Sequence, residues 1–225
     1  VDLRGHGATT IPAVVEGRRG WPDFRDDLLA LLVAETEGPV VLAGHSMGGT
    51  TSLLAAAAAP ERARSLVLFD PVFFDQKRAA SGEPNPLADG AARRRAVFPS
   101  KADVIAAYTG RGAFRTWSPE QLADYVEAGF RETETGEVTL TCAPAWEESN
   151  FRTHHYDPFQ AIRDSRCPIR ILRAEVATTA RIDEHLAEID ANPRVRHETI
   201  PGTTHFLPME RPELVRAALS EAVEG

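Results

Sequence analysis

Residues 40–48, VVLAGHSMG, are the stretch of sequence that decides the fold. Its first four residues are apolar and lie between turn-forming residues, which predicts a strand buried on both faces, as in a parallel sheet. The alanine-rich segment that follows, about residues 49–59, predicts a helix that ends at Pro60. A serine between a strand and a helix, with a glycine two positions before it and two after it, is the pattern of a nucleophile elbow.

The elbow pattern carries a specific chemistry, because a strained strand-to-helix turn holds the serine hydroxyl where it can attack a substrate. Gly44 and Gly48 occupy the positions where a small residue lets strand and helix come close. The backbone N–H of Met47, at the helix N-terminus, can face a developing oxyanion. We therefore predict Ser46 as the nucleophile and give His45 no catalytic role. A glycine-rich turn that only packs strand against helix is the alternative.

Outward from the elbow, apolar runs that suit buried strands alternate with segments of helical periodicity. The strand-like runs include Ser65–Phe69 and Ile169–Leu172, and a third follows at Val195–Ile200. Helices are predicted over 21–36, 180–190 and 211–223. Such alternation predicts an α/β fold, a mostly parallel sheet flanked by helices, with ligands bound at the carboxyl ends of its strands.

The middle of the chain, residues 72–160, differs in character, since proline, glycine and charge are frequent and helical segments such as 101–109 and 119–130 alternate with irregular stretches. We interpret it as a helical cap inserted into the core. The predicted division is therefore core over 1–71, cap over 72–160 and core again over 161–225. Five aromatic residues of the cap either form its own small core or line an apolar pocket: Phe114, Trp117, Tyr125, Trp146 and Phe151.

The serine needs a base, and the base needs an acid that orients it. His205 follows the last predicted strand and precedes an amphipathic helix, where a triad histidine is expected in the order serine, acid, histidine. Two carboxylates qualify as the acid by position, Asp70 after the strand that ends at Phe69 and Glu175 after the strand that ends at Leu172. We favour Asp70 and keep Glu175 as the alternative.

Composition bounds the possible partners. The 225 residues carry a formal net charge of −8, so no global positive field attracts nucleic acid or an anionic membrane. The triplet Arg93–Arg95 is interpreted as a solvated helix face, and no stretch is apolar enough to span a bilayer. Cys142 and Cys167 have no metal-type or disulfide-type spacing, which favours two buried free thiols in a reducing compartment. The neighbouring histidines His154 and His155 point apart on any regular element, so no metal site is predicted.

Four segments in order resemble the α/β-hydrolase superfamily, in its esterase, C–C hydrolase and dehalogenase-like branch. They are DLRGHG at residues 2–7, GHSMG at 44–48, LVLFDP at 66–71 and THFLPMERPELV at 204–215. The resemblance covers residues 1–70 and 165–224 and is specific for the fold but only modestly so for the substrate. It implies an eight-stranded sheet, acyl-transfer chemistry and no cofactor. A serine at the elbow argues against a dehalogenase, which needs a carboxylate nucleophile.

The chain departs from that family in two places. Relatives have further strands before the DLRGHG segment, about 40–60 residues by typical element lengths, together with a His-Gly loop that supplies a second oxyanion donor. We therefore expect the N-terminal strands to be missing from this chain. Relatives also place the acid after the next-to-last strand, where this sequence has Ala177. Some relatives place it after the preceding core strand, which Asp70 matches.

The resulting expectation is a serine hydrolase that cleaves a carboxylic ester or related acyl bond of a small, fairly apolar substrate through an acyl-enzyme. A C–C bond hydrolase or acyltransferase with the same triad is one alternative, and a non-catalytic hydrolase-like protein or inactive fragment is another. The expected location is the cytoplasm. The sequence does not indicate the substrate or the oligomeric state, because specificity depends on the shape of cap and pocket.

Overall fold

A computed structural model describes residues 1–73 and 85–225, which form two compact units. The first, here called the sheet unit, contains residues 21–73 and 155–225. The second, the mixed unit, contains residues 1–20 and 85–154. Residues 1–20 thus group with part of the region predicted as the cap. The predicted boundaries after residues 71 and 160 stay a prediction.

The secondary structure follows the alternation expected from the sequence. In chain order the elements are α1 (Pro22–Glu35), β1 (Val40–His45), α2 (Met47–Ala58), β2 (Ala63–Phe69), α3 (Pro86–Ala92), β3 (Val97–Phe98), α4 (Lys101–Tyr108), α5 (Pro119–Gly129), β4 (Phe130–Glu132), β5 (Val138–Leu140), α6 (Pro144–Arg152), α7 (Pro158–Asp164), β6 (Ile169–Val176), α8 (Leu186–Asp190), β7 (Val195–Thr204), α9 (Leu207–Glu210) and α10 (Pro212–Glu224). Many of the helices have a proline in their first turn, where its fixed φ is compatible with the helix.

The predicted helix over 180–190 is the element that the structure shortens most. Only a 3₁₀ turn at Asp183–His185 and the short helix α8 form there. At its start Ala180 forms an isolated parallel bridge with Phe73, whose N–H donates to the carbonyl of the preceding Thr179 at 2.9 Å. Long-range contacts therefore override the local helical pattern.

The sheet unit contains a parallel sheet in the order β1-β2-β6-β7. Leu42 pairs with Leu66, and Leu68 pairs with Ile171. The described residues contribute four strands to this sheet, against the eight that the family resemblance implies. All four strands run the same way, so their carboxyl ends meet at one edge.

Apolar side chains cover both faces of this sheet, because successive residues of a strand point to opposite sides. On one face Val67 and Phe69 of β2 pack with Leu172 of β6 and with the apolar side of α10. The alternate residues Leu66 and Leu68 are also buried, and α2 packs against β1 and β2 with α1 and α7 beside it. Burial is near-continuous in the second half of β2 and the middle of β6, which appear in the sequence as apolar runs. The prediction that β1 is buried on both faces is wrong, because β1 is an outer strand of the order β1-β2-β6-β7, with Leu42 buried and Ala43 exposed.

The mixed unit has a small antiparallel sheet in the order β3-β5-β4 and its own buried cluster. The aromatic rings of this unit pack on one another: Phe114 stacks on Tyr108 with ring centroids 4.6 Å apart, and Trp117 meets Tyr125 edge-on at 5.6 Å. Trp146 is 2% exposed, and its indole N–H donates to the Arg4 carbonyl at 3.0 Å. Of the two interpretations of these aromatic residues, internal packing describes Phe114, Trp117, Tyr125 and Trp146 in the mixed unit.

Arg94 corrects the expectation of a solvated arginine face. Its guanidinium donates to both carboxylate oxygens of Glu147, at 3.0 and 3.1 Å, and to the Tyr125 hydroxyl at 2.6 Å. The Arg95 guanidinium lies over the Phe98 ring, 4.2 Å from its centroid. Arg93 and Arg95 are exposed, as expected of a solvated face, whereas Arg94 is half-buried among its partners.

Other sequence expectations concern cysteines, membranes and metals. Cys142 and Cys167 are both free; Cys167 is buried as predicted, whereas Cys142 is only partly buried. Among residues 1–73 and 85–225, no helix has the length and apolar character needed to cross a membrane. Within the same residues, no three or more His, Cys, Asp or Glu side chains are grouped as metal ligands would be.

Candidate active site

Ser46 lies at the junction of β1 and α2 in a strained backbone conformation, with φ +54° and ψ −123°. A positive φ is costly for a residue with a side chain, on the order of 1–3 kcal/mol, and persists only where the surroundings impose it. Here the Ser46 N–H donates to the Phe69 carbonyl of β2 at 3.0 Å, and the helix begins at the next residue. The geometry is that of a nucleophile elbow.

The close approach between strand and helix in this elbow involves a glycine that the sequence motif does not emphasise. A Cβ on Gly44 would lie 2.5 Å from the Gly48 carbonyl oxygen, and a Cβ on Gly49 would lie 2.8 Å from the Gly44 carbonyl oxygen. A Cβ on Gly48 would meet nothing within 4 Å. The side-chain-free positions that the packing requires are therefore Gly44 and Gly49, whereas Gly48 was expected.

Met47 is the first residue of α2. The first N–H groups of a helix have no acceptor within the helix and carry the positive end of its dipole. The Met47 N–H thus has the position and the polarity expected of an oxyanion donor.

His205 joins the elbow to a carboxylate. Its Nε2 atom lies 3.0 Å from the Ser46 Oγ atom, and its Nδ1 atom lies 2.7 Å from Asp70 Oδ2. An ionised carboxylate only accepts hydrogen bonds, so Nδ1 carries the proton and Nε2 presents a lone pair to the serine hydroxyl. This is the tautomer that a general base for Ser46 requires.

Asp70 is fully buried, and its backbone has a positive φ of +40°. Its carboxylate accepts the Ala174 N–H at 2.9 Å, the Thr179 N–H at 3.0 Å and the Thr178 hydroxyl. Burial alone raises the pKa of this carboxyl, but the hydrogen bonds from His205, Thr178, Ala174 and Thr179 outweigh it and hold the pKa below its usual value. Asp70 is therefore charged at neutral pH despite its burial.

Glu175, the alternative acid, has a different environment. It is exposed, and one of its carboxylate oxygens accepts the Gly202 N–H at 2.8 Å. The His205 Nδ1 atom is directed at Asp70 instead. The structure thus brings Ser46, His205 and Asp70 together and leaves Glu175 bonded to the backbone near the end of β7.

Thr178 and Thr179 are contacts of this site that sequence reasoning missed. The Thr179 hydroxyl lies 2.9 Å from the Asp70 carbonyl oxygen, 3.3 Å from Asp70 Oδ2 and 3.2 Å from His205 Nδ1. Both threonines follow Ala177, the position at which relatives carry their acid, and Ala177 itself has a φ of +55°. The sequence did contain a signal for them: Ala177 stands where relatives carry the acid. If the acid is Asp70 on the neighbouring strand, the loop after Ala177 is free to donate hydrogen bonds to it.

The loop that carries His205 is anchored at two further points. Glu210 of α9 accepts the Thr204 N–H and the Thr204 hydroxyl, each at 2.7 Å. The imidazole of His45 donates from Nε2 to the His205 carbonyl oxygen at 2.6 Å, and the two rings lie 4.7 Å apart. Burial, with the neighbouring His205 second, lowers the pKa of His45 to about 4. His45 is therefore neutral near pH 7.

The arrangement can activate a hydroxyl for attack on a carbonyl. A base stands at hydrogen-bonding distance from Ser46, a buried charged carboxylate stands behind the base, and a helix N-terminus adjoins the nucleophile. These are the parts of a serine nucleophile mechanism, and none of its steps calls for a metal or an organic cofactor.

Comparisons with known proteins point the same way. The pattern that defines the Alpha/beta hydrolase family matches residues 1–218 of this chain. A curated relative, 2-(acetamidomethylene)succinate hydrolase of Mesorhizobium japonicum, is 25% identical over 225 residues, which is 100% of this chain and 77% of that protein. Lipase LipV of Mycobacterium tuberculosis is 36% identical over 116 residues, or 46% of this chain and 41% of the lipase.

Solved structures show the fold in the same way. The crystal structure of E-2-(acetamidomethylene)succinate hydrolase superposes with a TM-score of 0.82 at 24% sequence identity, covering 100% of this chain and 80% of that one. At that identity the likeness speaks for the fold alone.

Proposed function

The chain belongs to the alpha/beta hydrolase family, and we propose that it hydrolyses a carboxylic ester or related acyl bond through an acyl-enzyme on Ser46. The observation that carries the proposal is the continuous line of hydrogen bonds from the Ser46 hydroxyl through His205 to the buried Asp70 carboxylate. In isolation a serine hydroxyl is a weak nucleophile, so this line supplies what the reaction needs.

The proposed reaction has two halves. His205 Nε2 takes the Ser46 proton as Oγ attacks the carbonyl carbon, and the Met47 N–H stabilises the oxyanion that forms. The imidazolium then protonates the leaving group, and the carbon–leaving-group bond breaks. In the second half a water gives its proton to His205 and attacks the acyl carbon. The bond from that carbon to Ser46 Oγ then breaks, the imidazolium returns its proton to Oγ, and the acid is released. Asp70 holds the imidazole tautomer throughout and stabilises its positive charge.

The proposed substrate is small and fairly apolar. The supporting observation is that an aromatic ring lies beside the proposed base, since the Phe206 ring centroid is 5.4 Å from that of His205. An apolar neighbourhood favours burial of an acyl chain or its leaving group.

A second candidate is hydrolysis of an amide-type acyl bond in a small acidic substrate. It is favoured by the relative that aligns with the whole chain and is named for 2-(acetamidomethylene)succinate. A direct comparison of that compound with short p-nitrophenyl esters as substrates distinguishes the two candidates. A C–C bond hydrolase or an acyltransferase would instead show preference for a diketone or for transfer to an added alcohol.

The test of the shared mechanism is Ser46→Ala. We expect it to abolish hydrolysis of a short p-nitrophenyl ester and to abolish labelling by a fluorophosphonate probe. Ser220→Ala is the matched control, because Ser220 is an exposed serine of α10 in the same unit. Full activity in Ser46→Ala, or failure of the probe to label Ser46 in the wild type, would overturn the proposal and favour a non-catalytic protein.

A further inference from the structure

We propose that His45 is a positioning residue that fixes the backbone of His205 through a hydrogen bond to its carbonyl oxygen. The inference rests on the proposed function, in which His205 is the base for Ser46. The motif around the serine assigns no role to this histidine, and any residue fits that position by the motif alone.

The first observation is geometric. Consecutive residues at the end of β1 hold the two ends of His205: the Ser46 Oγ atom meets its Nε2 atom at 3.0 Å, and the His45 Nε2 atom meets its carbonyl oxygen at 2.6 Å. β1 and β7 are the two outer strands of the order β1-β2-β6-β7, so they do not pair with each other. The hydrogen bond from His45 therefore links β1, which leads to the nucleophile, with the loop after β7, which carries His205.

The second observation concerns the direction of this bond. A carbonyl oxygen only accepts, so the His45 Nε2 atom must carry a proton. The titratable groups that face the His45 ring are His205 and Asp70. Because its pKa is lowered to about 4, His45 provides this donor without a charge. A lysine or arginine donor would repel the imidazolium that forms on His205 during the reaction.

The functional consequence follows from the short reach of proton transfer. A base must stay within about 2.6–3.2 Å of the proton it removes, and a displacement of about 1 Å at a catalytic group costs roughly 100-fold in rate. Glu210 holds the preceding residue Thr204 from the other side. His45 therefore acts on the rate of attack by Ser46 and leaves substrate binding unchanged.

The experiment compares His45→Gln with His45→Asn in the whole chain. Glutamine places an amide N–H near the position of Nε2, whereas asparagine carries the same amide on a side chain one methylene shorter. The readout is the rate constant for labelling of Ser46 by a fluorophosphonate, with His197→Gln as a control, since His197 pairs with Asp190 at 2.8 Å near the start of β7. We expect His45→Gln to stay within about threefold of the wild type and His45→Asn to label about 10- to 100-fold more slowly.

Three outcomes overturn the inference. His45→Asn labels as fast as the wild type, or the labelling rate constant falls by the same factor in both variants, or the His45 imidazole carries its proton on Nδ1 and not on Nε2. The tautomer is measured in the unaltered protein by ¹⁵N chemical shifts of the imidazole nitrogens, assigned through bonds from the His45 backbone. This measurement decides even if a variant fails to fold, because the proposal requires a protonated Nε2. Loss of labelling in the wild type would instead contradict the proposed function, so the two failures are distinguishable.

Discussion

At the residue scale, the choice of acid rests on which carboxylate faces the Nδ1 atom of His205. Asp70 is buried, bonded to that atom and supported by two backbone N–H groups from the next strand and its loop. Glu175 is exposed and bonded to Gly202. Sequence position left both carboxylates open, because both follow predicted strands. In the structure Asp70 follows β2, whereas β6 extends to Val176 and therefore includes Glu175.

Replacing the two carboxylates separately tests this assignment. We expect Asp70→Asn to lower kcat for a p-nitrophenyl ester by about 10³- to 10⁴-fold, because the amide no longer favours the tautomer with a free Nε2 lone pair. Glu175→Gln is the matched control and should leave kcat nearly unchanged. A large loss in Glu175→Gln together with an active Asp70→Asn would reverse the assignment.

His45 makes a prediction about stability and pH. Its pKa is lowered from 6.5 to about 4 in the folded protein, so between these values the unfolded chain binds a proton that the folded chain does not. Stability therefore falls as the pH drops from about 6.5 towards 4, by at most about 3 kcal/mol from this group.

Urea unfolding of the wild type and of His45→Gln across this pH range measures the effect. The wild type should lose more unfolding free energy than the variant on acidification, and Ser220→Ala, an exposed and non-titrating position, should follow the wild type. Parallel pH profiles in the wild type and His45→Gln would contradict the prediction.

At the scale of elements, the elbow depends on how closely β1 meets the first turn of α2. A side chain on Gly44 would press against the Gly48 backbone, and a side chain on Gly49 would press against the Gly44 carbonyl. Gly48 itself borders open space. The backbone of β1 at Gly44 thus lies against the backbone of α2 at Gly48 and Gly49. This close approach requires the absence of a side chain at Gly44 and Gly49, but not at Gly48.

The paired variants Gly44→Ala and Gly48→Ala test that account. Gly44→Ala should destabilise the protein by about 1–3 kcal/mol and slow Ser46 labelling, because backbone atoms must move. Gly48→Ala should fold at least as stably as the wild type, since alanine is favoured over glycine in a helix by roughly 0.5–1 kcal/mol. Urea unfolding and probe labelling check both, and equal effects in the two variants would contradict the packing argument.

At the scale of the whole molecule, each unit is built on a buried cluster of its own, one around β2, β6 and α10 and one around β3, β4 and β5. The candidate catalytic side chains Ser46, Asp70 and His205 all belong to the sheet unit. The parallel sheet holds them together, because its strand order places separate parts of the chain side by side.

Two residues of β6 test the importance of this core. Leu172 is fully buried, and its carbonyl accepts the Asp70 N–H at 2.7 Å, whereas Val176 on the same strand is 55% exposed. We expect Leu172→Ala to lower the free energy of unfolding by about 2–5 kcal/mol, with Val176→Ala changing it by less than about 0.5 kcal/mol. Similar losses in both variants, measured in urea, would show that β6 is not packed as described.

The sequence by itself indicated the order of strands and helices around the elbow, the parallel sheet, and Ser46 and His205 as the candidate nucleophile and base. These features are local, since apolar runs, turn residues and helical periodicity are written within a few residues of one another. The tertiary structure decided which carboxylate faces His205, which threonines contact that carboxylate, the contact of His45 with His205 and the ion pair of Arg94 with Glu147. Each of these depends on residues that lie far apart in the chain and meet only when strands and loops pack side by side, which no local pattern records.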